Sequence, residues 1–543
     1  MAVATPTTTP IPRPVLDHIH PEPTGFIRKY IFSIDHKIIA YQYFITAGLF
    51  FVIAGLLAEM IRIDLLKHTG VLTPNVYNQV YSVHGSMMVW LVIIPFVSGA
   101  FGNFVMPLQI GARDVAFPWL NLAAFWMFPP AGLILLASFA FGAPDAGWTE
   151  YPPISLQAPF GTSMWCIAIF LIGISSTLTG INFLVTIFKM RAPGMTFTRM
   201  PLFVWASAAT AGLNMVATTA LAAALLALFL ERQFGVPFYN PTKGGSPILW
   251  QHMFWFYSHP AVYIMILPAM GVISEVVCTF SRKNPLSYKA IAYSSLGIAL
   301  VGFLTWGHHL FVAGQSAYAS GAFGIISELV AVFSAIKVVT WLGTMYRGSI
   351  AFTTPMAYVF IFLFLFVFGG MTGVAQAAMS LDVHWHDTYF IVAHFHFIMV
   401  GGTLTGLIAG LHYWLPKITG RLPNERVGLI AAALVLMGFV ITFVPQFLLG
   451  NAGMPRRYYD YPVRFQALNV ISTVGSWLLS SGILLAFGSL LHAAFRGPRA
   501  GSNPWGSRSF EWRTASPPIT ANFERPLDLV PGAYDYSVVN PHD

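Results

Sequence analysis

Long apolar stretches constrain the fold of this chain more than any other feature of its sequence. Only 9% of its residues are charged and 56% are hydrophobic, whereas about 25% of residues are charged in soluble domains. A helix needs roughly 20 mostly apolar residues to cross a bilayer. We therefore predict an all-α membrane protein, a bundle of 12 transmembrane helices. The twelve stretches lie at about 40–62, 80–106, 119–142, 164–188, 203–230, 251–280, 290–313, 325–345, 356–380, 389–415, 427–449 and 468–494.

Short connections between the stretches leave no room for a second folded domain. Residues 1–26 contain Thr-Pro repeats without an apolar core, so we predict a disordered segment and exclude a signal peptide. Residues 27–497 form the predicted twelve-helix core. Residues 498–543 are predicted to be an irregular cytoplasmic C-terminal tail.

The distribution of Lys and Arg predicts the orientation in the membrane. With the N-terminus inside, seven of the 28 Lys and Arg residues fall on the outer connections, Lys337 falls within a stretch, and the others fall on the inner side. Basic residues favour the cytoplasmic side, so both termini are predicted to be cytoplasmic. The net charge of +8 then reflects topology and does not indicate nucleic-acid binding. The outer seven are Arg62, Lys67, Arg232, Lys243, Arg456, Arg457 and Arg464.

Histidines within or beside the apolar stretches predict a metalloprotein. Polar groups inside a bilayer are costly and functional by default, and imidazole is the commonest metal ligand. Eight such histidines stand out: His84, His252, His259, His308, His309, His386, His394 and His396.

The sixth and seventh stretches carry a candidate copper site. His259 and Tyr263 are four residues apart and share one face of a helix. His308 and His309 at the end of the next stretch could converge on them. Three neutral imidazoles with an open fourth position suit a copper ion that binds a small molecule. A hydrogen-bonded histidine cluster at a helix end remains the alternative.

The tenth stretch indicates two further metal centres. His394 and His396 are two residues apart, about 200° around a helix, so they project to opposite sides. One helix can then serve two centres. His84 could pair across the bundle with one of the two. Two axial imidazoles make an electron-transfer haem, while a single protein ligand leaves a position for oxygen.

Together these motifs resemble subunit I of the haem-copper oxygen reductases, and among them the cytochrome c oxidases. The similarity runs from about residue 34 to residue 523. It implies that O2 is reduced to water at a high-spin haem facing a copper ion, CuB. It also implies proton pumping by an integral, multi-pass protein, for which a bacterial plasma membrane is expected.

The resemblance also implies which residues hold each cofactor. His84 and His396 correspond to the ligands of low-spin haem A, and His394 to that of high-spin haem A. The CuB ligands correspond to His259, His308 and His309, with Tyr263 cross-linked to the first. Other implied cofactor residues are Trp255, Arg62 at the formyl group of the low-spin haem, Arg456 and Arg457 at haem propionates, and His386 and Asp387 at a magnesium ion shared with subunit II.

The two arginines also suit this role on physical grounds. Paired guanidinium groups are well shaped to bind anions such as propionates, and Arg456 and Arg457 lie on the predicted outer side. They could instead be surface charges on a loop.

Lys337 indicates a first proton route from the inner side. It lies about ten residues inside its stretch, too deep for its side chain to reach the interface. With Ser334 one turn away it forms a polar stripe. The resemblance places both residues, and Ser274, in a lysine pathway.

A second predicted route begins at Asp114. The resemblance places Asp114, Asn103 and Asn121 at the entrance of an aspartate pathway. Many relatives end that pathway with a glutamate where this chain has Ala261. Tyr257 and Ser258, one turn earlier, resemble the branch in which a Tyr-Ser pair takes its place. Alternatively, Tyr257 only packs against a haem.

The electron donor is the main open choice. Quinol-oxidising relatives carry polar residues where this chain has Leu57, Ile53 and Val76. This favours cytochrome c, acting through a dinuclear copper centre in a separate subunit II, with subunit III and other oxidase subunits as further partners. The alternatives are a quinol oxidase and a metal or ion transporter that uses the same histidines.

Overall fold

The computed structural model describes residues 25–527, 529 and 532–536, and within them it confirms a bundle of twelve membrane-spanning helices. Regular structure in this part of the chain is helical throughout. The helices are α1 His36–Asp64, α2 Pro74–Gln109, α3 Pro118–Phe141, α4 Gly161–Lys189, α5 Leu202–Phe234, α6 Pro247–Ser281, α7 Tyr288–Leu310, α8 Ala317–Met345, α9 Thr354–Ala377, α10 Tyr389–Thr419, α11 Glu425–Asn451 and α12 Val463–Arg496.

Most helices extend beyond the apolar stretches that predicted them. α8 begins at Ala317, before the predicted residue 325, because Ser316 caps its N-terminus by accepting a hydrogen bond from the Ala319 amide. α5 continues to Phe234 and ends at Gly235, which has the left-handed φ of 71° typical of helix C-termini. Hydropathy marks the lipid-spanning part of a helix, whereas capping residues determine its ends.

The helices run alternately up and down, so each end of the bundle collects alternate connections. We call the end at which α1 begins the inner end and the opposite end the outer end. Whether the inner end faces the cytoplasm stays a prediction. The C-terminal tail lies against the inner end, where Phe510 and Glu511 are fully buried. In the part of the tail that the structure describes, the one helical turn is a short 3-10 turn, Phe510–Arg513, and the rest is irregular.

Three helices depart from regular α geometry beside the metal-site histidines. α2 has π-helical turns at Met87–Ile93 and Pro95–Phe101, directly after His84. α10 has another at Met399–Leu404, after His396. α7 is α-helical only to Phe303 and then forms a 3-10 turn at Trp306–Leu310. Such irregular turns often occur at functional sites, where they redirect side chains.

The predicted disordered segment at residues 1–26 stays a prediction, since residues 1–24 lie outside the described residues.

Candidate metal centre

One large internal cavity brings most of the predicted site residues together. Its volume is about 1030 Å³, and its wall is largely apolar. It extends from the outer connections to the middle of the bundle. The predicted residues on its wall are Arg62, His84, Trp255, His259, Tyr263, His308, His309, Ser334, His386, Asp387, His394, His396, Arg456 and Arg457.

A group of three histidines in this cavity can hold a metal ion. The ligand atoms of His259, His308 and His309 lie within 4.8 Å of one another. His259 Nδ1 is 3.1 Å from His309 Nε2, and His259 Nε2 is buried without a hydrogen-bond partner in the described part of the chain. Tyr263 is next to this group, with its ring centroid 4.8 Å from that of His259. Three converging imidazole nitrogens are a ligand set that suits copper.

Three further histidines have one ring nitrogen fixed by a backbone carbonyl. Nδ1 of His84 donates to Ala54 O at 2.9 Å, Nδ1 of His394 to Gly369 O at 3.1 Å, and Nδ1 of His396 to Val392 O at 2.8 Å. A carbonyl can only accept, so Nδ1 carries the proton and Nε2 keeps its lone pair. This is the arrangement of metal-ligating histidines.

His394 and His396 face different helices, as their spacing predicted. His394 contacts α9 through Gly369 and Thr372. His396 stacks on Phe443 of α11, with centroids 4.4 Å apart, and interacts electrostatically with His84. His396 therefore lies on the side of α10 that faces α11, with His84 near it, and His394 lies on the side that faces α9.

His308 is oriented by a residue that the sequence analysis did not identify. Its Nδ1 is 2.8 Å from the Ser327 hydroxyl, which itself donates to Phe323 O at 2.5 Å. His308 Nδ1 must therefore be the donor, and its Nε2 stays available to a metal. Ser327 lies ten residues before Lys337 on α8, and no local sequence pattern connects it to His308.

Trp255 forms part of the wall beside the three-histidine group. Its ring stacks on His309 at a centroid distance of 3.4 Å, and its indole nitrogen donates to the Tyr151 hydroxyl. Tyr151 comes from the connection between α3 and α4 and also lines the cavity. It was absent from the sequence analysis because this connection carries no histidine or intramembrane charge.

Arg62 extends from α1 to α12 at the cavity wall. Its Nη2 donates to Asn469 O at 2.9 Å and to the Thr473 hydroxyl at 3.1 Å. Its Nε is buried and has no partner among the described residues. A buried donor at the wall of a cavity suits an acceptor on a ligand, such as the formyl oxygen of a haem.

Arg456 and Arg457 lie at the outer end of the cavity in different surroundings. Arg456 forms an ion pair with Asp387. Arg457 has a left-handed φ of 71°, and its guanidinium packs against Gly147, where a Cβ atom would come within 2.8 Å of Cζ. Burial lowers the pKa of Arg457 to about 10, and repulsion by Arg456 adds to the effect. Arg457 therefore remains a cation at neutral pH.

His386 lies between two carboxylates near these arginines. Its Nδ1 is 3.5 Å from Asp382 and its Nε2 is 3.7 Å from Asp387. Burial alone would raise the pKa of Asp387, but Arg456 and His386 outweigh it and lower the pKa to about 2. An ionised carboxylate beside an imidazole can hold a divalent cation, although His386 and Asp387 supply only two ligands.

Lys337 departs from the predicted polar stripe. Its ammonium turns towards α7, where Nζ donates to the Ser295 hydroxyl at 2.7 Å and to Ile291 O at 3.2 Å. Ser334 instead lines the cavity. Ser274 accepts a hydrogen bond from the Trp341 indole nitrogen at 3.0 Å. The structure thus separates the predicted stripe into an inner part at Lys337 and an outer part at Ser334.

Three residues of the second predicted route, Asp114, Asn103 and Asn121, lie towards the inner end. Asn121 Nδ2 donates to Asn103 Oδ1 at 2.7 Å, and both side chains are fully buried. Asp114 lies in the connection between α2 and α3 and accepts a hydrogen bond from the Val115 amide at 2.7 Å. Burial raises the pKa of Asp114 to about 7. This carboxyl can therefore exchange a proton near neutral pH.

Tyr257 and Ser258 are buried but do not line the cavity. The Ser258 hydroxyl has no hydrogen-bond partner among the described residues, and neither do Asn121 Oδ1, Asn182 Nδ2 and Asn214 Oδ1. Buried polar atoms are normally hydrogen-bonded, often through water. These atoms favour a hydrated polar region between the inner end and α6.

Comparison with known proteins gives a consistent result. The family described as "Cytochrome C and Quinol oxidase polypeptide I" matches residues 38–478. A cytochrome c oxidase subunit 1 from Thermostichus vulcanus is 44% identical over 531 residues, which cover 97% of this chain and 96% of that protein. The corresponding subunit from Bacillus sp. (strain PS3) is 44% identical over 501 residues, covering 91% and 81%.

A solved structure supports the same fold. It is described as a heme-copper terminal oxidase dimer, and it superposes with a TM-score of 0.71 at 19% identity over 86% of this chain and 85% of that one. The twelve apolar helices and the bacterial relatives identify a multi-pass integral protein of the bacterial plasma membrane. By the extent of the family match and the identity to its relatives, the chain belongs to the cytochrome c and quinol oxidase polypeptide I family.

Proposed function

We propose that this chain is the catalytic subunit of a bacterial terminal oxidase that takes electrons from cytochrome c and reduces O2 to water. The observation that carries the proposal is the single cavity whose wall holds both the three-histidine group and three histidines with Nδ1 on a backbone carbonyl, His84, His394 and His396. A transporter would need neither the fixed tautomers nor Tyr263 beside His259. The quinol alternative has no support from residues 53, 57 and 76, which are apolar.

The residues of the cavity fit two haems and one copper. His84 and His396 would hold a low-spin haem, His394 a high-spin haem, and His259, His308 and His309 the copper. When bound, these groups supply the redox chemistry and the position for O2. Arg62 favours haem A, since its buried Nε needs an acceptor such as a formyl oxygen. Trp255 would contact the face of a haem ring, and Arg456 and Arg457 would bind the haem propionates.

The protein itself supplies protons and excludes water. Tyr263 presents a phenol beside the copper ligands and can release its proton to the reaction. The apolar wall of the cavity limits access of bulk water. Lys337, with Ser274 and Ser334, would supply one proton route, and Asp114, Asn103, Asn121, Tyr257 and Ser258 the other. The second route would also serve proton pumping.

Partner subunits are required by the composition of this chain. Its two cysteines, Cys166 and Cys278, are buried in different helices, so it cannot build a dinuclear copper centre. We propose that subunit II supplies that centre, that subunit III and other oxidase subunits complete the complex, and that His386 and Asp387 share a magnesium ion with subunit II.

The test uses the complex purified from native membranes. We expect two haems A and one CuB per copy of this chain, in addition to the copper of subunit II, and O2 uptake with reduced cytochrome c. His84→Ala should remove the low-spin haem spectrum. The control is His412→Ala. His412 is a buried histidine of α10 whose Nδ1 is 2.9 Å from Ile408 O of the same helix, and it does not line the cavity. A retained bis-histidine spectrum in His84→Ala, or turnover with quinol alone, would contradict the proposal.

A further inference from the structure

Lys337 is held by α7, a helix to which the sequence analysis assigned no proton-route residue. The side chain is 2% exposed, and its Nζ is 2.7 Å from the Ser295 hydroxyl. The second acceptor is the Ile291 carbonyl at 3.2 Å. Among the described residues no carboxylate forms an ion pair with it. Ser295 is therefore the one side-chain acceptor seen for this buried amine.

The face of α7 that holds Lys337 continues to Tyr263. Ile291, Ser295, Ile298 and Gly302 are spaced by four, three and four residues, so they share one face of the helix. Ile298 lines the cavity. At Gly302 a Cβ atom would come within 2.4 Å of the Tyr263 ring, so the phenol lies directly against this face. Ser295 and Gly302 are about 10 Å apart along the axis.

The Lys337 side chain has to move if it is to carry a proton over part of the distance between Ser295 and Tyr263. With Nζ on Ser295 the side chain is turned away from the cavity, whose wall includes Ser334 one turn further out on α8. A proton carried by Nζ reaches the cavity only when the side chain leaves Ser295. The hydroxyl is thus the side-chain group that holds the amine at the inner position.

We infer that Ser295 is a positioning residue for proton uptake, which stabilises the protonated Lys337 side chain between α7 and α8 before it turns towards Tyr263. This inference rests on the proposed relay role of Lys337. It assigns to α7 the hydrogen-bond acceptor for Lys337, which the polar stripe on α8 does not provide. Loss of a hydrogen bond to a charged group is large enough to change a rate by about tenfold.

Ser294 provides a matched control for the experiment. It precedes Ser295 and is equally buried at 2% exposure. Its hydroxyl donates at 2.8 Å to Ile291 O, the carbonyl that also accepts from Lys337, and no hydrogen bond joins Ser294 to Lys337 among the described residues. Stopped-flow reduction of the purified complex follows the two haems separately. We expect Ser295→Ala to slow reduction of the oxygen-binding haem about tenfold and to leave the low-spin haem unchanged. Ser294→Ala should match the parent, and Ser295→Thr, which keeps the hydroxyl, should recover most of the rate.

A double-mutant cycle with Lys337→Met separates positioning from packing. In the Lys337→Met background Ser295→Ala should slow reduction no further. A packing defect caused by Ser295→Ala would instead add to the slowing caused by Lys337→Met. If Ser295→Ala reduces as fast as the parent or faster while Lys337→Met is slow, this inference is wrong and the relay stands. If Lys337→Met itself reduces at the parent rate, the proposed relay fails, and the role of Ser295 fails with it.

Discussion

The outer and inner ends of the bundle hold their charged side chains in different ways. At the outer end Arg456 is paired with Asp387, whose pKa is lowered to about 2 by Arg456 and His386 against the effect of burial. At the inner end Lys337 donates to the Ser295 hydroxyl and the Ile291 carbonyl. Asp114 accepts a hydrogen bond from the Val115 amide. Burial raises the pKa of Asp114 to about 7.

This difference corresponds to two tasks. A charge fixed by a counter-charge keeps its protonation state over a wide pH range, which suits permanent binding of anionic groups. A carboxyl whose pKa burial raises to near neutrality is close to the point where it gains or loses a proton, which suits transfer. We therefore expect changes at the outer end to affect cofactor content and changes at the inner end to affect rates.

The largest effect is expected from His259, near the outer end. His259→Ala leaves two imidazoles for the copper, so copper should be lost and O2 reduction should fall at least about a thousandfold, while both haems remain. Metal analysis and O2 uptake measure this result. His252→Ala is the control, because His252 contacts Trp306 at 3.4 Å and does not line the cavity. Full activity without copper would refute the assignment.

The next effect is expected from Asp114, at the inner end. Asp114→Asn keeps the shape but cannot carry a proton, so turnover should fall at least about tenfold with the haem spectrum intact. The parent should show a pH dependence of turnover near pH 7 that the variant lacks, since burial raises the pKa of Asp114 to about 7. Asp460→Asn, at an exposed carboxylate of the outer end, is the control. A change in haem content in Asp114→Asn would contradict the division between the two ends.

The candidate metal site near the outer end was easier to predict from sequence than the contacts of the proposed proton routes at the inner end. His259 and Tyr263 are four residues apart, and His308 and His309 are adjacent, so short-range spacing indicated that they act together. The twelve helices were predicted from hydropathy for the same reason: an apolar stretch consists of residues that are consecutive in sequence.

The inner-end contacts depend on side chains that are far apart in sequence. Lys337 and Ser295 are 42 residues apart, and nothing near Ser295 distinguishes it from Ser294. The π-helical turns after His84 and His396 were also not predicted. One of them includes Gly401, where a Cβ atom would come within 2.9 Å of Leu365 on α9, a contact between residues far apart in sequence. Rotation of a helix by such a turn decides which side chains face the cavity.

A smaller, severalfold effect is expected from Tyr257, between the two ends. Tyr257→Phe removes one hydroxyl and nearly conserves volume, so a loss must come from proton transfer. We expect turnover to fall severalfold and proton release per electron to decrease in reconstituted vesicles. Ala261→Glu, one turn away, should partly restore both. If Tyr257→Phe pumps like the parent, the tyrosine only packs in the core and the aspartate route ends elsewhere.

Glu150 is the residue that could break the comparison, because it lies at the outer end but resembles the inner-end groups. It is 0% exposed, and its two oxygens accept from the Ala146 amide and the Thr162 hydroxyl, both at 3.3 Å. No ion pair to it is present among the described residues. Burial, and then Asp145, raise the pKa of Glu150 to about 8.

This shift predicts a stability effect with a definite sign. The unfolded carboxyl loses its proton near pH 4.5 and the folded one near pH 8, so the free energy of unfolding falls across that interval as pH rises, by about 1 kcal/mol per unit. Glu150→Gln removes this dependence. The unfolding temperature of Glu150→Gln minus that of the parent should therefore increase by roughly 1 °C per pH unit from pH 6 to pH 8. Glu524→Gln, at an exposed carboxyl, should show no such trend. A constant difference between Glu150→Gln and the parent across this range would mean that Glu150 is ionised throughout, and that the outer end holds only charges with fixed protonation.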